Sequence, residues 1–109
     1  MRRVSVAEFQ TVAKASDVAA GEMKLVDVDG EEVVIANVSG EYFAFSNTCT
    51  HEGGPLSDGE LEGDIVTCPW HFTPFNVRTG EAQEGGVTDD PVPTYELRLD
   101  GDDIQIRKP

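Results

Sequence analysis

The chain has 109 residues, of which 21 are acidic, 8 are basic and 39% are hydrophobic, giving a net charge of −13. This length suits one domain that buries its own core, and no apolar run approaches the roughly 20 residues that cross a bilayer. The acidic excess excludes nucleic acid and anionic membranes as natural partners and leaves a basic protein surface, or solubility alone, as its use.

The opening "MRRVSVAEFQTVAKAS" holds two arginines but no continuous apolar stretch, so it does not read as a secretory signal, and a cytoplasmic protein is expected. "RRVSVA" reads as a short strand and "AEFQTVAKAS" as a polar turn or brief helix. From there the pattern is β. "EMKLVDV" alternates in part, with Met23, Leu25 and Val28 assigned to one side. Asp29-Gly30 is a hairpin signal, and "EEVVIANV" is the return strand, rich in β-branched residues. Ser39-Gly40 turns again into "EYFAFSN", where Phe43 and Phe45 alternate.

Residues 47–60 lose periodicity and collect Gly53, Gly54, Pro55 and Gly59, the composition of a loop. "DIVTC" is a short strand ending at Cys68, and "PWHFTP" is a second loop interrupted by Pro69 and Pro74. "FNVRTGEA" is a strand running into a turn at Thr79-Gly80, and "QEGGVTDDPVP" is a third loop. "TYELRLDGDDIQIRK" closes the chain as a hairpin, with Tyr95, Leu97 and Leu99 alternating before Asp100-Gly101, and Ile104 and Ile106 after it. Short strands with frequent turn signals predict an all-β, antiparallel sandwich or barrel. Met23, Phe43, Phe45 and Ile65 are its expected core residues.

Both cysteines and both histidines fall in two of these loops, as Cys49-Thr50-His51 and Cys68-Pro69-Trp70-His71, with sixteen residues between His51 and Cys68. A single disulfide would leave the histidines unexplained. A nucleophilic Cys–His dyad needs one pair and makes the other a coincidence. A structural zinc site can use two cysteines and two histidines, but it usually pairs Cys with Cys and His with His, whereas each loop here supplies one of each. A Rieske [2Fe–2S] centre holds one iron by two cysteines and the other by two histidines. Two loops that each span such a cluster must each give one Cys and one His.

With C-x-H, sixteen residues and C-x-x-H in register, the sequence resembles the Rieske-type ferredoxins, the electron-transfer components of aromatic-ring-hydroxylating oxygenase systems. "GGPLSDGELEGDIVTCPWH", "FNVRTGEA" and "DDPVPTYELRLDGDDIQI" carry the resemblance further, from about residue 22 to the end. It implies an antiparallel β base with a small cluster-binding subdomain formed by loops at approximately 46–76, within one Rieske domain over 1–109. It also implies that Cys49 and Cys68 bind the inner iron of one [2Fe–2S] cluster, that His51 and His71 bind the outer iron, and that the loop near Pro91 and Pro93 covers one side. No catalytic acid, base or nucleophile is expected.

The chain departs from the Rieske proteins of respiratory and photosynthetic complexes, which carry an additional cysteine in each loop. Gly54 and Trp70 stand at the corresponding places. Thr73 could replace the serine that donates to cluster sulfur there, but Phe75 cannot replace the tyrosine. Fewer donors to sulfur lower the potential, toward about −150 mV at the low end of the Rieske range. Phe72 follows His71 where many relatives have glycine, and with Trp70 it is expected to shield the cluster or touch a partner. The resemblance implies a one-electron carrier between a NAD(P)H-dependent flavoprotein reductase and a terminal oxygenase, monomeric, with basic docking surfaces on both partners. A small Rieske subunit of a larger redox enzyme, and a zinc-stabilised β-domain acting as a binding module, are the alternatives.

Overall fold

In the computed structural model the described residues are 9–48, 54–70, 72–84 and 90–107. They form nine strands in two antiparallel sheets: β1 (Gln10–Lys14), β2 (Met23–Val28), β3 (Glu31–Val38), β4 (Glu41–Ser46), β5 (Glu60–Glu62), β6 (Ile65–Thr67), β7 (Pro74–Asn76), β8 (Thr94–Asp100) and β9 (Asp103–Arg107). The larger sheet has the order β1-β9-β8-β4-β3-β2 and curls into a near-barrel; the smaller is β5-β6-β7. The expected all-β antiparallel architecture is what the chain adopts.

Two tight turns set the register of the large sheet. Asp29 and Gly30 have φ of 53° and 86°, and Ser39 and Gly40 have 53° and 95°. Positive φ at both central residues is the type I′ geometry whose twist matches the flanking strands. Each turn is also held by a side chain two residues before it, since Asp27 Oδ1 and Asn37 Oδ1 accept from the Gly30 and Gly40 amides at 2.8 Å. β3 lies between β2 and β4 and is buried on both faces from Val33 onward.

Side chains alternate across a strand, so β3 feeds two cores. Val34, Ala36 and Val38 join Phe45, Leu56, Val66, Cys68, Phe75, Val77 and Val92 between the two sheets. Val33 and Ile35 join Val18, Val26, Val28, Ala44, Ile104 and Ile106 inside the curl of the large sheet. Full burial of one such aliphatic side chain stabilises by about 1.5–3 kcal/mol. The small sheet is tied to the large one at its surface too: Arg78 pairs with Glu41 at 2.8 Å and Asp64 at 3.4 Å, and its guanidinium lies 4.8 Å from the centroid of Phe43.

Several elements differ from the sequence reading. The brief helix expected around residues 7–16 is strand β1 followed by a 3-10 turn at Ala15–Asp17. Gln10–Lys14 gains its ladder from β9, and that tertiary pairing outweighs its weak local pattern. The expected strand at 2–7 lies outside the described residues. In β2 the buried side chains are Val26 and Val28, while Leu25 points out and is exposed, so Val28 lies opposite the face assigned to it. Glu60, at the end of the expected loop, and Leu61 and Glu62, to which the sequence assigns no element, form β5 by pairing with β6. Pro74 starts β7 rather than interrupting a loop, which the ladder tolerates because β7 is an edge strand. Phe45 is fully buried, and Met23 and Phe43 pack partly buried against the same core, while Ile65 is only half-buried.

Tyr95, paired with Ala44 on β4, donates its hydroxyl to Glu31 Oε1 at 2.8 Å. Burial and then this carboxylate push its phenol up from 10.0 to about 12. The neutral phenol is the form that the fold stabilises. Its contribution is therefore complete below the unfolded value near pH 10 and is lost as pH rises toward about 12. Ultraviolet titration should show one tyrosine ionising late, and Glu31→Gln should bring it back toward, but not to, the ordinary value because burial persists.

Candidate metal centre

The site residue that the structure describes is Cys68, a free thiol that is fully buried at the end of β6. Cys49, His51 and His71 lie outside the described residues, as do Glu52, Gly53 and Asp89. What can be followed is how the two loops are built.

The second loop is closed at its base by two backbone bonds. The Cys68 amide donates to Thr73 O and the Phe72 amide donates to Cys68 O, both at 3.0 Å. The chain thus turns back on itself between Cys68 and Thr73, from β6 to β7. Thr73 and Phe75, on the return side, are fully buried. Phe75 has no hydroxyl to offer, and its ring is core packing.

The first loop is closed by Asn47, which is 3% exposed. Its carbonyl accepts from the Leu56 amide and its Oδ1 accepts from the Ser57 amide, both at 2.8 Å. Its Nδ2 donates to Glu32 Oε1 at 3.1 Å, and its amide donates to Glu32 O at 3.1 Å. A Thr48↔Pro55 bridge continues the closure, so the excursion holding Cys49 and His51 begins and ends at one point beside β3. The sequence reading left Asn47 as the end of a strand. The available signal was an Asn two residues before the first cysteine, where its side chain can mimic a backbone partner.

Gly54 brings the two loops together. A Cβ at this residue would stand 2.9 Å from Cys68 Sγ and 3.0 Å from Cγ and Cδ2 of Trp70. A second close approach, at Gly59, would put a Cβ 2.0 Å from Thr67 O, so the chain leaving the first loop lies directly on β6. The proline segment arrives from the other side. Val92 donates to Gly80 O at 2.8 Å, Pro93 O accepts from Ser46 N at 2.9 Å, and the Val92 side chain enters the core that contains Cys68.

Trp70 and Phe72 are 53% and 69% exposed, so both stand outward from the second loop. Between Phe72 and the first loop's exit, a cleft of about 250 Å³ descends to Cys68, with Asp58 and Glu60 at its sides. The donor chemistry and the architecture suit a [2Fe–2S] group: a buried free thiol at a hairpin tip, a facing loop that arrives through a side-chain-free position, and one Cys and one His in each loop's sequence.

An antiparallel β base bearing two closed Cys/His loops is the class of an iron–sulfur electron carrier rather than of a nucleophilic enzyme. Residues 8–96 match the Rieske [2Fe–2S] domain, and the chain belongs to that family. The ferredoxin component of biphenyl 2,3-dioxygenase from Rhodococcus jostii (strain RHA1) is 38% identical over 95 residues, which cover 87% of this chain and 88% of that protein. The Sphingomonas yanoikuyae B1 ferredoxin superposes with a TM-score of 0.86 at 29% identity, over 94% of this chain and 100% of that one. A chain in the complex of reduced oxygenase and oxidized ferredoxin in carbazole 1,9a-dioxygenase superposes with a TM-score of 0.85 at 29% identity, covering 91% and 92%.

Phe72 has φ of 58°, a left-handed conformation that a side chain with a Cβ disfavours by about 1–2 kcal/mol. Because its ring is mostly exposed, little burial is lost on removing it. Phe72→Gly should therefore stabilise the protein by about 1 kcal/mol, a rise of about 5 °C in melting temperature for a chain of this size. Phe72→Ala, which keeps the Cβ, should bring no such gain.

Proposed function

We propose that this chain is a Rieske-type ferredoxin, a monomeric cytoplasmic one-electron carrier that passes electrons from a NAD(P)H-dependent flavoprotein reductase to a terminal oxygenase. The observation that carries this reading is likeness along nearly the whole of both chains to proteins named as ferredoxin components of dioxygenase systems. A likeness to a chain from an oxygenase–ferredoxin complex supports the oxygenase side. Among the described residues no helix is long and apolar enough to cross a membrane.

In this reading Cys49 and Cys68 hold one iron and His51 and His71 the other, within a cluster-binding subdomain at approximately 46–76 of a single domain. The cluster, when bound, takes up and gives up one electron. The chain's own residues do the rest. Asn47 holds the first loop closed, and the bonds from Cys68 N to Thr73 O and from Phe72 N to Cys68 O hold the second, so that neither base need move when an electron is exchanged. Leu56, Val66, Phe75 and Val92 exclude water from the side of Cys68 that faces the core. Phe75 has no hydroxyl, so sulfur has one donor fewer than with a tyrosine there, which favours a potential at the low end of the Rieske range.

Optical and EPR spectra with iron content test the reading directly. Cys49→Ser, Cys68→Ser, His51→Ala and His71→Ala should each lose or severely weaken cluster assembly, because neither hydroxyl nor methyl replaces thiolate or imidazole as ligand. Full iron content with an unchanged spectrum in any one of them would remove that residue from the ligand set.

The charge of −13 should steer the protein to basic patches on its partners. The exposed carboxylates Asp58 and Glu60 flank the cleft to Cys68, and Glu52, Glu84, Asp89 and Asp90 lie in or near the loops. Each exposed contact contributes on the order of 0–1 kcal/mol alone. Together they act on encounter, over a screening length of about 10 Å at 0.1 M salt. The second-order rate of reduction by the reductase should fall as ionic strength rises, and fall less steeply after Glu52→Gln combined with Asp89→Asn and Asp90→Asn. A flat salt profile would assign the charge to solubility.

A further inference from the structure

Each Cys/His loop is closed at its own base, but those closures do not fix the distance between the loops. The first is tied to β3 through Asn47 and Glu32, and the second is tied to itself through Cys68 and Thr73. The exit of the first loop is joined to β6 where Gly59 lies on Thr67 O, and closer to Cys68 Sγ the two loops meet again. There the backbone of Gly54 lies against the indole of Trp70 and beside Cys68 Sγ, with no room for even a Cβ. Trp70 is 53% exposed, so the indole gives one side to Gly54 and leaves the rest in solvent. Gly54 is buried, with Cys68 and Trp70 of the opposite loop closest to it.

We propose that Trp70 on Gly54 is a positioning contact: it clamps the second loop against the first and so sets how firmly the two loops grip what they hold together. Gly54 is required because any side chain there displaces the indole, the Cys68 thiol or both. Trp70 is required as a flat apolar surface, large enough to reach across the gap, and not as a hydrogen-bond donor. Neither residue is a ligand. The cluster clause of this proposal rests on the ligand reading given above, whereas the contact itself does not.

Trp70 is the single tryptophan of the chain, so all indole fluorescence comes from it, and comparison of variants at equal iron content isolates the contact. Three variants of the purified holoprotein separate the possibilities: Trp70→Ala, Trp70→Phe and Gly54→Ala. Trp70→Ala should bind iron but release it to a chelator about 10-fold faster, as when a residue supporting a metal ligand is lost, and broaden the EPR signal. Trp70→Phe, which keeps an aromatic face without the indole N–H, should restore most of the slow release. Gly54→Ala should make the indole more accessible to acrylamide quenching.

Release from Trp70→Ala at the wild-type rate with an unchanged EPR signal overturns the proposal. So does unchanged quenching in a folded Gly54→Ala. If Gly54→Ala does not fold, the two Trp70 variants still decide, since a half-exposed side chain can be truncated without dismantling the core. If the wild-type protein binds no iron, the ligand reading fails; the contact is then judged by quenching alone, and an indole no more accessible in Gly54→Ala than in wild type refutes it.

Discussion

Strand β3 is buried on both faces, and both cores depend on that one register. Its even residues Val34, Ala36 and Val38 face the small sheet, and its odd residues Val33 and Ile35 face the interior of the curled large sheet. A slip of one residue would exchange the two sets and would also move Glu32, the partner of Asn47. The type I′ turns at Asp29-Gly30 and Ser39-Gly40 prevent such a slip, because a two-residue loop with fixed twist admits one pairing on each side. The position of Cys68 is thus decided far from it: β3 sets the large sheet, the shared core seats the small sheet on it, and Cys68 caps the end of β6.

The loops inherit this rigidity at their bases. Asn47 is 3% exposed and uses its amide, its carbonyl and both ends of its side chain, so the point where the first loop leaves the sheet is over-determined. Backbone bonds at 3.0 Å do the same for the second loop. A carrier that exchanges electrons is helped by a site that need not rearrange, and closing each loop at its root is a physical route to that end. The left-handed Phe72 is the counter-example. It accepts backbone strain at the exposed tip, and the strain is sustained because the bonds to Cys68 O and from Cys68 N to Thr73 O hold the turn around it.

The parts of this architecture that were legible in the sequence are those encoded over a few residues. Asp29-Gly30, Ser39-Gly40 and Asp100-Gly101 announced hairpins, and β3, β8 and β9 followed from β-branched and alternating runs. The four Cys and His residues stand out by their spacing, and their role as ligands belongs to the proposed function. What was not legible depends on contacts through space. β1 is a strand because β9 offers it a ladder, and β5 because β6 does. Alternation assigns Leu25 to one side with Met23 and Val28, yet the pleat that buries Val26 and Val28 turns it outward. Gly54 and Trp70 could be read only as two places without a cysteine; that they touch each other emerges once both loops are folded.

An acidic chain that exposes two aromatic rings on its second loop combines two physical effects suited to brief encounters. Long-range charge raises the rate of approach without needing any contact to be strong, since exposed pairs contribute little individually. Phe72 at the Cys68 cleft and Trp70 on the same loop, both more than half exposed, then offer apolar surface on which a partner can settle. A patch of two rings buries far less than a stable complex requires, so dissociation stays fast. In the proposed role that combination matters more than affinity: a carrier that must leave one protein and find another works through fast arrival and fast release. In that role an indole that met a partner on one side would rest on Gly54 on the other, so docking would bear on the contact proposed to clamp the two loops.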